Sequence, residues 1–215
     1  MKYSRLQYIS SGKTPEEHYI NIRLALVRGV SWIQIRIKHT ADHEIDRLIK
    51  RVILLKEQFS FTLIINDYVS LANDAAVDGV HLGLGDMPVL EAKAILSPSK
   101  IIGGTANSTA DVQQRIKEGC DYIGLGPLRY TETKEKLSPL LGFEGYRSVI
   151  KDLGSVPCPP IFAIGGIAKP DISRLRKIGL YGVALSKCIQ ANFTDEQHIE
   201  HLNTLLYGQE IENCR

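Results

Sequence analysis

Eight short β-rich runs recur along the chain, each followed by a stretch with helical spacing, and this alternation constrains the fold more than any other feature. The runs are 6-LQYIS-10, 32-WIQIRIK-38, 62-TLIIND-67, 79-GVHLGL-84, 100-KIIGGTA-106, 122-YIGLGP-127, 160-PIFAIGGI-167 and 182-GVALS-186. The first helical pattern covers 15–29, where Pro15 suits the first helical position and Gly29 the stop. The second covers 41–58, with Ile45, Leu48, Ile49 and Val52 on one face. Shorter ones follow at 69–77, 88–96, 108–118, 143–152 and 170–178, and the last at 195–208. Strict alternation implies parallel strands joined by crossover helices. Eight such repeats close into a (β/α)8 TIM barrel. An open doubly wound sheet would carry its glycine fingerprint after an early strand, whereas here the glycines gather at strands five to eight. The 215 residues suit one barrel, so 1–215 is read as a single domain.

The hydrophobic fraction of 44% is that of an ordinary globular core, and a formal net charge of +2 gives no bulk attraction to nucleic acid or to a membrane surface. No apolar run approaches the roughly 18 residues that span a bilayer. The N-terminal MKYSRLQYISSGK lacks a secretory apolar region. A cytoplasmic protein with small-molecule partners, and without nucleic-acid or membrane partners, is expected. Cys120, Cys158, Cys188 and Cys214 match no zinc or redox spacing and read as unpaired thiols.

A TIM barrel places its active site at the C-terminal ends of its strands, so the polar residues there are read together. Gln34, Arg36 and Lys38 alternate with Ile35 and Ile37 and therefore share one side of strand two. Turned inward they would grip an anion; turned outward they would snorkel to solvent past covering helices. Strands three and four end in Asn66-Asp67 and Asp86. Two carboxylates beside cations suit Mg²⁺, which takes few carboxylates and completes its shell with water and phosphate. Each could instead cap the helix that follows it. His81 reads as a hydrogen-bonded core histidine. Strand five offers Thr105 and Asn107, strand seven ends in a glycine pair that lets backbone approach a ligand, and strand eight ends in Ser186-Lys187 before a helical turn. Gly166, Ser186 and Lys187 thus form a second anion site. The polar loop 131-TETKEKLSPLLG-142 would lie over both sites as a lid. Two phosphate-bearing ligands under one lid point to a transfer reaction.

Taken in order, 34-QIRIK-38, 66-ND-67, 81-HLGLGD-86, 131-TETK-134 and 164-IGGI-167 resemble the thiamine phosphate synthase family over nearly the whole chain. The resemblance implies condensation of 4-amino-2-methyl-5-(diphosphooxymethyl)pyrimidine with a thiazole phosphate, giving thiamine phosphate and pyrophosphate by a dissociative mechanism. It implies Mg²⁺ on Asp67 and Asp86. Gln34, Arg36, Lys38 and Asn66 would hold the pyrimidine diphosphate, and Thr105 would touch the pyrimidine. Thr131 and Thr133 would contact the thiazole phosphate, with Gly166, Ser186 and Lys187 completing that site. Lys134, with Arg36 and Lys38, would stabilise the leaving pyrophosphate. The chain departs from the family pattern at Leu84, where glutamine is frequent, at Ile9-Ser10-Ser11, where an acidic residue is usual, and at Lys187, where a small residue is common.

Rival readings share the barrel. A thiazole tautomerase would need a proton-shuttling histidine after strand five; Asn107 stands there, and no histidine lies between His81 and His198. A non-catalytic phosphate-ligand-binding barrel would leave the metal and diphosphate groups unexplained. An isomerase of phosphorylated sugars would need an acid or base at a strand end, and the flap motif argues against it.

Overall fold

The computed structural model describes residues 3–130 and 139–208. Its strands are β1 (Leu6–Ile9), β2 (Trp32–Ile35), β3 (Thr62–Asn66), β4 (Gly79–Leu82), β5 (Ile101–Ala106), β6 (Tyr122–Leu125), β7 (Ile161–Ile164) and β8 (Gly182–Leu185). They pair in parallel, in sequence order, and β8 closes on β1 to complete the expected barrel. The helices are α1 (Pro15–Val27), α2 (Asp42–Leu54), α3 (Val89–Ile95), α4 (Thr109–Lys117), α5 (Gly142–Leu153), α6 (Ile172–Ile178), α7 (Lys187–Gln190) and α8 (His198–Tyr207). No described helix is long and apolar enough to cross a membrane. Cys120, Cys158 and Cys188 are free thiols, as expected; Cys214 lies outside the described residues.

Strict alternation fails in one place. The helix expected over 69–77 is only a 3₁₀ turn, Val69–Asn73. Asp74 turns the chain there: its carboxylate accepts from the Ala76 N–H at 2.8 Å and its carbonyl from the Val77 N–H at 3.1 Å, so local side-chain bonding wins over helix extension. The same chemistry delays the last helix. Asp195 accepts from the Gln197 N–H at 3.0 Å, and α8 begins only at His198. By contrast, α1 starts where expected, with Thr14 accepting from the Glu17 N–H and Pro15 in the first turn.

Residue parity divides each strand between two cores. Ile33, Ile35, Leu63, Ile65, Val80 and Leu82 face outward and pack beneath the helices. Their alternates face inward. At the base of the barrel Trp32 meets Tyr122 and Phe162 edge to face, with ring centroids 5.0 and 5.1 Å apart. Above this aromatic plug lies a polar layer. Gln34 Nε2 donates to Gln7 Oε1 at 3.1 Å, and Gln7 Nε2 to the Tyr122 hydroxyl at 3.4 Å. That hydroxyl also meets His81 Nδ1 at 3.1 Å, and His81 Nε2 meets the Thr105 hydroxyl at 2.9 Å. His81 is therefore the bonded core histidine that its position suggested.

Gly103 faces Tyr122 across the β5–β6 ladder, and a Cβ there would lie 2.2 Å from the tyrosine Cζ. The ring cannot retreat, because Trp32 and Phe162 hold its faces and His81 its hydroxyl. Gly103→Ala is expected to destabilise the protein by about 3 kcal/mol through overpacking. Gly85→Ala, with nothing within 4 Å of the added carbon, should stay within about 0.5 kcal/mol of wild type. Urea unfolding of the two variants checks this; equal stabilities would contradict it.

Candidate active site

At the C-terminal mouth of the barrel the strand ends surround a cavity of about 560 Å³. Its wall carries four lysines or arginines, Lys13, Arg36, Lys38 and Lys187, and no carboxylate among the described residues. Such a surface selects anions, because low-dielectric walls concentrate the field of like charges.

The orientation of strand two is settled by Gln34. It is 2% exposed and bonded to Gln7 inside the barrel, so the inward reading holds and the outward one does not. β2 stops at Ile35, and Arg36 and Lys38 continue on its extension into the cavity wall. Across the cavity, Gly165 and Gly166 adopt φ of 82° and 67°, a conformation that favours glycine. A Cβ on Gly166 would also lie 2.9 Å from Arg129 Cβ. Beside them Ser186 precedes α7 and Lys187 opens it. The Ser186 hydroxyl is buried and finds no hydrogen-bond partner among the described residues. The five residues Arg36, Lys38, Gly166, Ser186 and Lys187 thus come together on one cavity.

Asn66, Asp67, Asp86 and Thr105 sit beside that cavity rather than on its wall. Asn66 ends β3 in register with His81. Thr105 is 7% exposed and occupied by His81 in the polar layer directly below the mouth. Asp67 has φ 72°, and its N–H donates to the His81 carbonyl at 3.0 Å. Burial, and next the neighbouring Asp86 carboxylate, push the Asp67 carboxyl up, while Lys38 pulls it the other way. The ends of β2, β3 and β4 are therefore electrostatically coupled. Neither aspartate caps a helix. The 3₁₀ turn after Asp67 has Tyr68 at its N-cap without a side-chain bond, and α3 has Pro88 at that position. Asp86 Oδ2 instead accepts from the Gly83 N–H at 2.6 Å, which folds the loop after β4 back on itself. Thr131, Thr133 and Lys134 lie outside the described residues, as does 131–138 of the loop assigned as a lid; at its end the Leu141 N–H donates to the Pro127 carbonyl at 3.0 Å and Gly142 opens α5, and Tyr130, just before it, is on the cavity wall.

Two supports were not legible as such. Arg115 on α4 is 6% exposed; its Nε donates to the Thr105 carbonyl at 3.0 Å and its Nη2 to the Gly83 carbonyl at 3.2 Å, tying the ends of β4 and β5 together. Nothing in its helical spacing separates it from a solvated arginine. Arg129 grips the nearly buried Asp171 through both guanidinium nitrogens, Nη2 to Oδ1 at 2.7 Å, and Nη1 reaches the Gly166 carbonyl at 3.1 Å. Its signal was a lone charge in 127-PLRY-130. Asn107 is also taken: its amide nitrogen bonds the Gly126 carbonyl.

A family model described as thiamine monophosphate synthase matches residues 7–189. The thiamine-phosphate synthase of Flavobacterium psychrophilum is 48% identical over 95% of this chain and 100% of its own length. That of Flavobacterium johnsoniae is 45% identical over 97% and 99%. Among solved structures, thiamine phosphate pyrophosphorylase from Pyrococcus furiosus superposes with a TM-score of 0.79 at 27% identity, covering 95% of this chain and 97% of that one.

The Arg129–Asp171 pair yields a pH prediction. Hydrogen bonds from Arg129 are the main cause that holds the Asp171 carboxyl below the usual carboxylate range. The folded state then binds fewer protons than the unfolded state in that window, so the stabilisation is complete above the ordinary carboxylate value and is lost as pH falls through the depressed one. Wild type should exceed Asp171→Asn in stability near neutral pH, with the gap closing below about pH 4. Thermal melts across that range check it; a gap constant into acid would contradict it.

Proposed function

The chain belongs to the thiamine monophosphate synthase family, and from that footing we propose that it is a transferase joining 4-amino-2-methyl-5-(diphosphooxymethyl)pyrimidine to a thiazole phosphate with release of pyrophosphate. The observation that carries this reading is the cavity with Lys13, Arg36, Lys38 and Lys187 on its wall and no described carboxylate. It is large enough for two phosphate-bearing ligands and has a distinct anion-binding feature on each side.

In this reading Arg36 and Lys38 hold the diphosphate, with Gln34 and Asn66 below and beside them. The C–O bond between the pyrimidine methylene and the diphosphate breaks first. Negative charge then develops on the departing pyrophosphate, where fixed cations stabilise it more than they stabilise the bound substrate. Gly166 and the Ser186-Lys187 backbone seat the thiazole phosphate. Seating it there aims the thiazole nitrogen at the methylene cation and makes the new C–N bond an encounter between neighbours. Thr105 steadies the pyrimidine side of the floor. Thr131 and Thr133 are assigned to the thiazole phosphate and Lys134 to the diphosphate on sequence grounds.

Asp67 and Asp86 fit Mg²⁺. Burial is the main cause of the elevation of Asp67, and the second, repulsion from the Asp86 carboxylate, is one that a cation between them would relieve. Among the described residues no group of three or more His, Cys, Asp or Glu gathers, so an ion on these two carboxylates would take its remaining oxygens from water and substrate phosphate. When bound, Mg²⁺ supplies charge neutralisation on the diphosphate.

The test is incubation with both substrates and Mg²⁺, scoring thiamine phosphate and pyrophosphate in equal amounts. Asp67→Asn should lower turnover on the order of 100-fold and weaken diphosphate binding more than thiazole phosphate binding. Asparagine tolerates the positive φ at this position, and Asp67 makes no cap bond, so the melting temperature should hardly move. Full turnover by Asp67→Asn in EDTA would contradict the metal assignment, and a collapse in stability would make Asp67 a structural residue.

A further inference from the structure

Arg36 lies one residue past the end of β2, where the backbone needs a holder. The β1–β2 ladder continues one step beyond β1, with the Ser10 N–H donating to the Gln34 carbonyl at 2.8 Å. In a regular parallel ladder the next rung would be the Arg36 N–H on the Ser10 carbonyl. Here the Ser10 hydroxyl takes that place: the Arg36 N–H donates to Ser10 Oγ at 3.1 Å. The backbone of residue 10 is thereby released to turn away into the loop leading to α1.

The hydroxyl is itself held. Ser10 Oγ lies 2.8 Å from His18 Nδ1, and the two residues are 3% and 2% exposed. The Arg36 N–H can only donate, so the serine oxygen accepts from it; the serine proton makes the contact with His18 Nδ1 when that nitrogen is unprotonated, the state toward which burial pushes the imidazole, and otherwise the ring N–H uses the second serine lone pair. The loop around the pair is fitted to it. A Cβ on Gly12 would lie 2.8 Å from Glu17 Cβ and 3.0 Å from the His18 backbone nitrogen. The Lys13 N–H donates to Glu17 at 2.7 Å, and the Asn21 amide to the Ser11 carbonyl at 2.7 Å.

We propose that Ser10 and His18 are a positioning pair: they fix the backbone at Arg36 and so aim Arg36 and Lys38 at the anionic group of the diphosphate substrate. Both residues also lie on the wall of the same cavity; the role assigned to them is to hold the Arg36 backbone rather than to take part in bond breaking. It extends the proposed function by naming what sets the geometry of the diphosphate grip. Removing the Ser10 side chain takes away the acceptor of the Arg36 N–H, and removing the His18 ring takes away the group that holds that hydroxyl in place.

The experiment compares Ser10→Ala, His18→Leu and His18→Asn with wild type. Asparagine can present its side-chain oxygen where His18 presents Nδ1, so it is the conservative variant. The first readout is calorimetric affinity for inorganic pyrophosphate with Mg²⁺. Ser10→Ala and His18→Leu should each weaken it about tenfold, the size of one lost hydrogen bond, while His18→Asn stays within about twofold. The second readout is the split between KM values: that for the pyrimidine diphosphate should rise and that for the thiazole phosphate should not. An unchanged pyrophosphate affinity in Ser10→Ala overturns the proposal, as does an equal loss in His18→Leu and His18→Asn, or a parallel loss of thiazole phosphate binding. If Ser10→Ala does not fold, the two histidine variants decide alone. If wild type makes no thiamine phosphate, the transferase reading fails, and the pair is still judged on pyrophosphate affinity; wild type that binds no pyrophosphate overturns both.

Discussion

The parity of β2 governs the chemistry above it. Ile33, Ile35 and Ile37 bury against the helices, so their alternates must face the barrel axis. Read upward, those alternates are an aromatic plug at Trp32, a buried amide at Gln34, and two cations, Arg36 and Lys38, at the mouth. A one-residue slip would drive two cations and an amide under α2 and turn Ile33 and Ile35 toward the barrel axis. The apolar packing that makes the fold stable is therefore also what fixes the charge of the site.

Between plug and mouth, Gln7, Gln34, Tyr122, His81 and Thr105 form a connected layer. Such a layer is costly unless its members are satisfied. Its value lies in geometry: it links strands β1, β2, β4, β5 and β6 directly beneath the residues proposed to meet a ligand. Arg115 and Arg129 do the same from outside the barrel, Arg115 binding the Thr105 and Gly83 carbonyls and Arg129 the Gly166 carbonyl at the rim. The mouth is thus braced from below and from two sides, as electrostatic stabilisation of a developing charge requires.

The sequence made the barrel legible because its signals were long and periodic. Eight apolar runs, spaced by helical patterns, admit few closures. It also revealed the strand-end residues, since period-two alternation carries Arg36 and Lys38 to the side of Gln34. What it hid depended on short-range competition or on contacts distant in sequence. The turn at Asp74 replaced a helix because one carboxylate bonded a nearby N–H. The capping alternatives for Asp67 and Asp86 read equally well from spacing, and only the fold excluded them, with Tyr68 and Pro88 at the two N-cap positions and Asp86 turned back to Gly83. Arg129 meets Asp171 across 42 positions and Ser10 meets Arg36 across 26; no local pattern announces either.

The central claim is that this mouth holds two phosphate groups in fixed, separate places, one on the β2 side and one on the β7–β8 side. A crystal structure of the protein with thiamine phosphate, pyrophosphate and Mg²⁺ tests it most directly. The account predicts pyrophosphate against Arg36 and Lys38, the metal held by Asp67 and Asp86, and the phosphate of thiamine phosphate against Gly166 and Ser186. Both anions on one side of the cavity, or a metal remote from those two aspartates, would contradict it.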